Sequence, residues 1–360
     1  MEVGSVGGLR TAPMRSSLLV GALATAIGTL IASLLSASDA RAQQEYFKGK
    51  TIQLVVGAPQ GGGYWLLGKL FADHLPRFLP GQPTVVTPAK PGSFTMPNDL
   101  YAQAPADGTV IGISNGSIAT ADLFGIPGAR YDSRRFSWVG SMGSNTGVTV
   151  AWAQSQVQTT EDLFQKELVV VGAGTSTDTA QFPTAVNRIL GARFKVITGY
   201  TGTLEIALAI ERGEVQGVGS WNYDSLKANR PDWLRDKKVR LLLQLGLTRH
   251  PELPDVPTVL DVAQNDEQRA LLRLVFTQQA IGRPIIGPPG MPSDVLALYQ
   301  KAFSAMMADP KFREDATSRS LEVINPVNGP DALKLVEKLY ETDKALVERA
   351  GKALMVSEGP

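Results

Sequence analysis

From residue 51 onward, short apolar and β-branched runs alternate with stretches whose apolar residues recur at helical spacing. The runs Thr51–Val56, Thr84–Thr87, Thr109–Ser114, Trp138–Gly140, Val148–Trp152, Leu168–Val171, Phe194–Thr198, Gly217–Ser220, Arg240–Leu245 and Gly282–Ile286 predict strands. Between them, Tyr64–Phe78 places Leu66, Leu67, Leu70, Phe71, Leu75 and Phe78 on one helical face, and Thr177–Leu190, Thr203–Arg212 and Glu267–Phe276 read similarly. Such alternation predicts parallel sheets covered on both faces. One βα series occupies residues 51–145 and another 165–245, followed by Pro251-Glu252-Leu253-Pro254-Asp255-Val256-Pro257, too proline-rich for either element. The tail from Pro292 to Leu354 reads as helical, with one closing strand at Glu322-Val323-Ile324. The expected fold is α/β, with two α/β sandwich domains joined by crossing strands and a ligand cleft between them. A first domain of residues 43–148 plus 246–360 receives an inserted second domain of residues 149–245.

The N-terminal stretch follows a different pattern. Arg10 and Arg15 precede an almost wholly apolar or small run from Ser17 to Leu35, and Ala40-Arg41-Ala42 is an A-x-A cleavage site. Residues 1–42 therefore read as a signal peptide cleaved after Ala42, with Met14 as an alternative start, and the location expected is the periplasm. A membrane anchor is the competing reading of so long a run, and Gly21, Gly28 and several Ser and Thr weaken it. With no cysteine in the chain, neither a lipid-modified cysteine nor a disulfide is available, so the core carries stability alone. The whole chain and the signal each carry a net charge of +1, which leaves the mature protein near neutral. That balance gives no footprint for nucleic acid or an anionic membrane surface.

The candidate chemistry lies in turns that follow strands. Thr51–Val56 runs through Gly57-Ala58 into Pro59-Gln60-Gly61-Gly62-Gly63 and then a helix beginning Tyr64-Trp65. Consecutive glycines let a ligand approach the backbone, and the bare N–H groups of a helix start hold an anion without any charged side chain. The turn lacks G-x-G-x-x-G spacing and a Walker lysine, so nucleotide binding is poorly supported, and a merely flexible turn is the alternative. Gly172-Ala173-Gly174-Thr175-Ser176-Thr177-Asp178 is a second such turn. Capping explains one of its three hydroxyls and leaves two for a ligand. Ser114-Asn115-Gly116-Ser117 and Gly199-Tyr200-Thr201-Gly202 are further examples, and Trp221-Asn222-Tyr223 follows a strand end where a pocket would be. Recurrence of these turns in both halves suggests one ligand gripped from two sides.

Gly112-Ile113-Ser114-Asn115-Gly116 is a literal G-x-S-x-G, the nucleophile elbow of an α/β-hydrolase, and His250 with Asp224 or Asp236 would complete a triad. An esterase using Ser114 is therefore the alternative function. Two distant histidines, no cysteine, no H-E-x-x-H and no D-x-D-x-D-G loop leave no recognisable metal site, and no cofactor is expected.

Together these residues resemble the substrate-binding receptors of tripartite tricarboxylate transporters, the Bug-type periplasmic binding proteins. The resemblance covers nearly all of the mature chain. It is carried by Tyr46-Phe47-Lys48-Gly49-Lys50-Thr51-Ile52 leading into the Pro-x-Gly-Gly-Gly turn, by Lys90-Pro91-Gly92 and by Ala104-Pro105-Ala106-Asp107-Gly108-Thr109. Gly172 to Ser176, Gly199 to Gly202 and Leu253-Pro254-Asp255-Val256-Pro257-Thr258 complete it. The resemblance implies a two-lobed, type II-like periplasmic-binding-protein fold that closes on ligand. It implies no enzyme, but capture of a small organic carboxylate and delivery to membrane permease subunits of a tripartite tricarboxylate-type transporter. It places Gln60 to Tyr64, Ser114 to Ser117 and Gly174 to Asp178 around the ligand, in a protein expected to be a monomer. An orphan receptor that signals instead is the remaining alternative. Many relatives carry Asp two residues after the triple glycine. Trp65 stands there in this chain, which implies amine-free ligands, aromatic acids among them, unless Trp65 simply packs on its neighbours. Gly92-Ser93-Phe94-Thr95 also departs from the family's glycine-rich stretch, and Phe94 is a second candidate for the pocket.

Overall fold

The computed structural model describes residues 1, 2, 4, 7, 8, 45–200, 202–321 and 323–356. The cleavage site after Ala42, the apolar run before it, and Thr201 lie outside the described residues. The strands are β1 (Thr51–Val56), β2 (Thr84–Val86), β3 (Val110–Ile113), β4 (Ser137–Ser141), β5 (Gly147–Trp152), β6 (Leu168–Gly172), β7 (Phe194–Thr198), β8 (Gly217–Asn222), β9 (Val239–Leu245), β10 (Pro284–Gly287) and β11 (Val327–Asn328). The helices are α1 (Gly63–His74), α2 (Thr95–Ala102), α3 (Asp162–Gln165), α4 (Asp178–Leu190), α5 (Thr203–Glu211), α6 (Tyr223–Asn229), α7 (Pro231–Arg235), α8 (Asp266–Phe276), α9 (Ser293–Ala308), α10 (Pro310–Ser318), α11 (Gly329–Tyr340) and α12 (Lys344–Leu354).

Two sheets form, one ordered β11-β4-β10-β3-β1-β2 and the other β7-β6-β8-β5-β9. The first draws its strands from residues 51–141 and 284–328, the second from residues 147–245. Neither is purely parallel, as the alternation had implied. β1 runs parallel to β2 and β3, whereas β10 is antiparallel to β3 and β4. In the second sheet β6 is parallel to β7 and β8, whereas β5 is antiparallel to β8 and β9. The reversals occur next to the segments where the chain changes sheet, and a buried strand reads as the same apolar run in either direction.

Two element limits differ from expectation for local reasons. Pro76 has no N–H to donate, so α1 stops at His74 and a tighter 3₁₀ turn covers Leu75–Arg77. The closing strand is Val327–Asn328; residues 323 and 324 of the expected strand form no part of it, and Glu322 lies outside the described residues. Asn325 turns the chain at φ 51° before Pro326, and the Ile324 carbonyl is taken by Ser144 N–H at 2.8 Å.

The core explains why α1 and its turn hold their place. Ile52, Leu54 and Val56 of β1 are fully buried, and each such side chain contributes about 1.5–3 kcal/mol. Gly68 lets α1 lie close on the sheet, since a Cβ there would stand 2.8 Å from Val56 Cγ2. The chain leaves the first sheet at Ser141, enters the second at Gly147, and returns through α8 to β10. α8 and α12 pack on α4, and Arg188 of α4 donates to the Ala353 carbonyl at the end of α12 at 3.3 Å.

Candidate functional site

The first glycine turn leaves α1 open at its N-terminus. Gly61 takes φ +80°, and Gly62 N–H donates to Pro59 O at 3.2 Å. Gly62 is the N-cap, in extended conformation with no side-chain cap, and no acidic residue stands in the first turn. Backbone bonding to the cap begins only with Leu66 N–H donating to Gly62 O at 3.0 Å. The N–H groups of Gly63, Tyr64 and Trp65 are thus the uncapped donors of the helix start, at its positive dipole end.

In the second turn one of the three hydroxyls is engaged within the loop, though not as a helix cap. Thr177 Oγ1 donates to Gly174 O at 2.7 Å, and Thr179 Oγ1 accepts from Ala173 N–H at 2.9 Å. Thr179, one residue beyond the predicted motif, is therefore part of the loop lock. Among the described residues, no hydrogen bond engages the Thr175 or Ser176 hydroxyls, and both residues are half-buried. Asp178 opens α4 and accepts from Thr179 N–H at 2.9 Å, while its surroundings desolvate it and push its pKa up. Burial first, and the Asp178 charge second, push the Tyr64 phenol up in turn.

A cavity of about 20 Å³ lies between the sheets, bordered by Gly63, Tyr64, Asn145, Asn222, Asp224, Ser225 and Arg283. Leu66, Leu67 and Leu321 supply apolar wall. Tyr64 Oη donates to Gly282 O at 3.0 Å and accepts from Asn145 Nδ2 at 2.6 Å. Arg283 Nε donates to Asn145 Oδ1 at 3.0 Å, and its guanidinium pairs with Asp224. Sequence reasoning missed Asn145, Ser225 and Arg283, and considered Asp224 only as a triad partner. The available signal was Arg283 itself, a lone charge inside Ala280-Ile281-Gly282-Arg283-Pro284-Ile285-Ile286.

The other expected residues divide. Pro59, Gln60 and Gly61 are exposed at the turn, and Asn222 borders the cavity, its side chain also accepting from Ser225 N–H at 3.3 Å. Ser114 is buried, and its N–H donates to Pro284 O at 3.4 Å. Asn115 Oδ1 accepts from Ser117 N–H at 3.1 Å and from Ser117 Oγ at 2.5 Å, a local cap. Gly116 packs on backbone, since a Cβ there would lie 2.0 Å from Gln278 O. Trp221 is only 2% exposed, and its ring meets Trp233 edge-on at 5.8 Å within the second sheet's core. Tyr200 packs against that same cluster, and Phe94 is a core residue beside Tyr131 at 6.4 Å. These three side chains are better explained by packing than by ligand. Trp65 is half-buried, with its indole N–H buried and no acceptor among the described residues.

The hydrolase elements sit on different sheets. Ser114 follows β3, whereas His250 follows β9, where its N–H donates to Gln244 Oε1 at 2.7 Å and its ring meets Tyr223 at 5.0 Å.

Comparison with known proteins places this geometry. The TctC profile, described as the tripartite tricarboxylate transporter family receptor, matches residues 71–352. A UPF0065 protein from the tcbD–tcbE intergenic region of Pseudomonas sp. strain P51 is 28% identical over 246 residues, covering 65% of this chain and 69% of that protein. The periplasmic binding protein BugD superposes with a TM-score of 0.65 at 21% identity, covering 86% of this chain and 99% of BugD. Rpa4515 of R. palustris, solved with adipate, gives a TM-score of 0.65 at 17% identity, covering 85% of this chain and 97% of that one. The fold is that of the two-lobed periplasmic binding proteins.

Proposed function

Because this chain belongs to the tripartite tricarboxylate transporter receptor family, we propose that it captures a small, amine-free organic carboxylate between its lobes and hands it to the membrane permease subunits of such a transporter. The observation that carries this reading is the start of α1, with its glycine N-cap, no acidic residue in the first turn and three uncapped N–H groups. The lobes are residues 43–148 plus 246–360 and residues 149–245, a division supported by the ranges from which the two sheets draw their strands. Ligand contacts to both lobes favour closure, with no bond made or broken. The ligand set centres on Gln60 to Tyr64, Gly174 to Asp178 and Asn222. No acidic residue stands in the first turn of α1 to meet an amine, which fits an amine-free acid better than a zwitterion. A solved relative with adipate supports the dicarboxylate class.

A thermal-shift panel of malate, adipate, citrate, benzoate, aspartate and glutamate tests the reading. A bound ligand at a hundred times its Kd adds about 2.7 kcal/mol of stability. Amine-free acids should raise Tm more than the matched amino acids. A panel in which only aspartate or glutamate acts sinks the amine-free reading, and ester turnover lost in Ser114→Ala sinks the receptor reading. The protein acts in the periplasm as a monomer and should begin at Gln43, which intact-mass measurement of periplasmic material checks. Mature protein retaining residues 1–42 contradicts it.

A further inference from the structure

Arg283 is the charged group most deeply placed beside the interlobe cavity, at 2% exposure, and it directly precedes β10 of the first sheet. Its N–H donates to Ser141 Oγ at 3.2 Å and its carbonyl accepts from Met142 N–H at 3.0 Å, both at the point where the chain leaves β4. Its guanidinium reaches the other lobe, where Asp224 lies in the first turn of α6. Asn145, in the outgoing crossing segment, joins Arg283 to Tyr64 of α1 through its two amide atoms. Tyr64 closes the circuit on Gly282 O in the returning segment. Gly282 must be glycine for this, because a Cβ would stand 2.5 Å from Asn145 Cγ and 2.6 Å from Asn145 N. Next to it the lobes touch directly, since a Cβ on Gly63 would be 2.7 Å from Ser225 Oγ.

We propose that Arg283, Asp224, Asn145 and Tyr64 form an interlobe brace that sets how far the lobes are closed. Arg283 is thus a positioning residue and not the ligand's cation. The chemistry favours this assignment. A buried guanidinium needs a buried counter-charge and filled donor positions. Asn145, itself held by Tyr64, fills a donor position from within the first lobe, whereas the counter-charge, Asp224, lies on the lobe that opening carries away. Opening about the two crossing segments carries Asp224 away from Arg283 and exposes both charges to water. The balance between this pairing and the hydration regained on opening therefore bears on the closed-to-open ratio independently of ligand. Removing one partner leaves the other buried and unpaired in the closed form. The network also fixes Tyr64 where the α1 amides open. This inference extends the receptor reading and is tested without any ligand.

The chain's lack of cysteine allows clean two-site labelling. Lys195→Cys on the second sheet's edge and Lys301→Cys on α9, both exposed, carry a donor and acceptor for single-molecule energy transfer. Asp224→Asn in this background should shift the closed-to-open ratio toward open by about tenfold or more, since loss of one charge from a buried hydrogen-bonded pair is costly. Tyr64→Phe, which keeps the ring and removes one hydroxyl, should shift it in the same direction by less. It also serves if Asp224→Asn does not fold by circular dichroism. A folded Asp224→Asn with the wild-type transfer distribution overturns the brace, as does an unshifted Tyr64→Phe where Asp224→Asn fails to fold.

Discussion

Gly62→Val is expected to abolish carboxylate binding while leaving the fold in place. The native backbone at Gly62, φ −73° and ψ 161°, is one that valine adopts readily, so no left-handed strain enters. A Cβ there sits 3.2 Å from Pro59 O, tight but not impossible, and valine is a poor N-cap, so the fold loses about 1 kcal/mol. Its two methyls then stand at the mouth of α1, where an anion must come within hydrogen-bond distance of the Gly63, Tyr64 and Trp65 amides. Losing two charge-assisted hydrogen bonds at roughly 1.5–3 kcal/mol each lowers affinity by about a hundredfold or more. Gln60 is exposed and caps nothing in α1, so Gln60→Ala should change affinity by no more than about threefold. Calorimetric titration of both variants with the strongest acid of the panel, alongside urea denaturation, separates the two effects. Equal tolerance of the two substitutions removes the backbone cradle from the mechanism.

The fold was legible because its strands are apolar runs and its helices amphipathic. Each of the ten core strand candidates overlaps a strand of the structure, and the starts of α1, α4, α5 and α8 fall within one residue of expectation. Strand direction was not legible. β5 and β10 are buried between neighbours and show no alternation that would mark an antiparallel strand. The closing strand was misplaced by a few residues because Glu322-Val323-Ile324 has strand composition, while the backbone at Asn325 and Pro326 decides where pairing resumes.

The site was half legible. Glycine turns announce themselves by composition, and the resemblance to the receptor family rests on them. Tertiary partners do not. Asn145 and Arg283 are single polar residues in segments without periodicity, and their meaning depends on two crossings that lie 138 positions apart in the chain. Trp221 misled for the opposite reason. It sits at a strand end beside Asn222, but adjacent strand residues point to opposite faces. Asn222 borders the cavity, while Trp221 joins Trp233 in the core.

Gly116 separates packing from ligand contact most sharply. Its Cβ position is 2.0 Å from Gln278 O and 2.9 Å from Ile281 O, and these are backbone atoms, so no rotamer change relieves the clash. Gly116→Ala must move the 3₁₀ turn at Gly116–Ala119 or the segment from Gln278 to Ile281, which leads directly into Gly282 and Arg283. The expected destabilisation is about 3 kcal/mol, at the upper end of what overpacking costs, because the clash is with backbone. Gly202→Ala is the control. Gly202 is extended at φ 170° and no atom lies within 4 Å of its Cβ position, so it should cost no more than about 1 kcal/mol. Urea midpoints for the two variants decide the matter. If Gly116→Ala keeps the wild-type midpoint but loses ligand affinity, Gly116 faces the ligand after all. If the midpoint falls as expected, the G-x-S-x-G of this chain is a packing motif, with its last glycine set by the crossing segment beneath it.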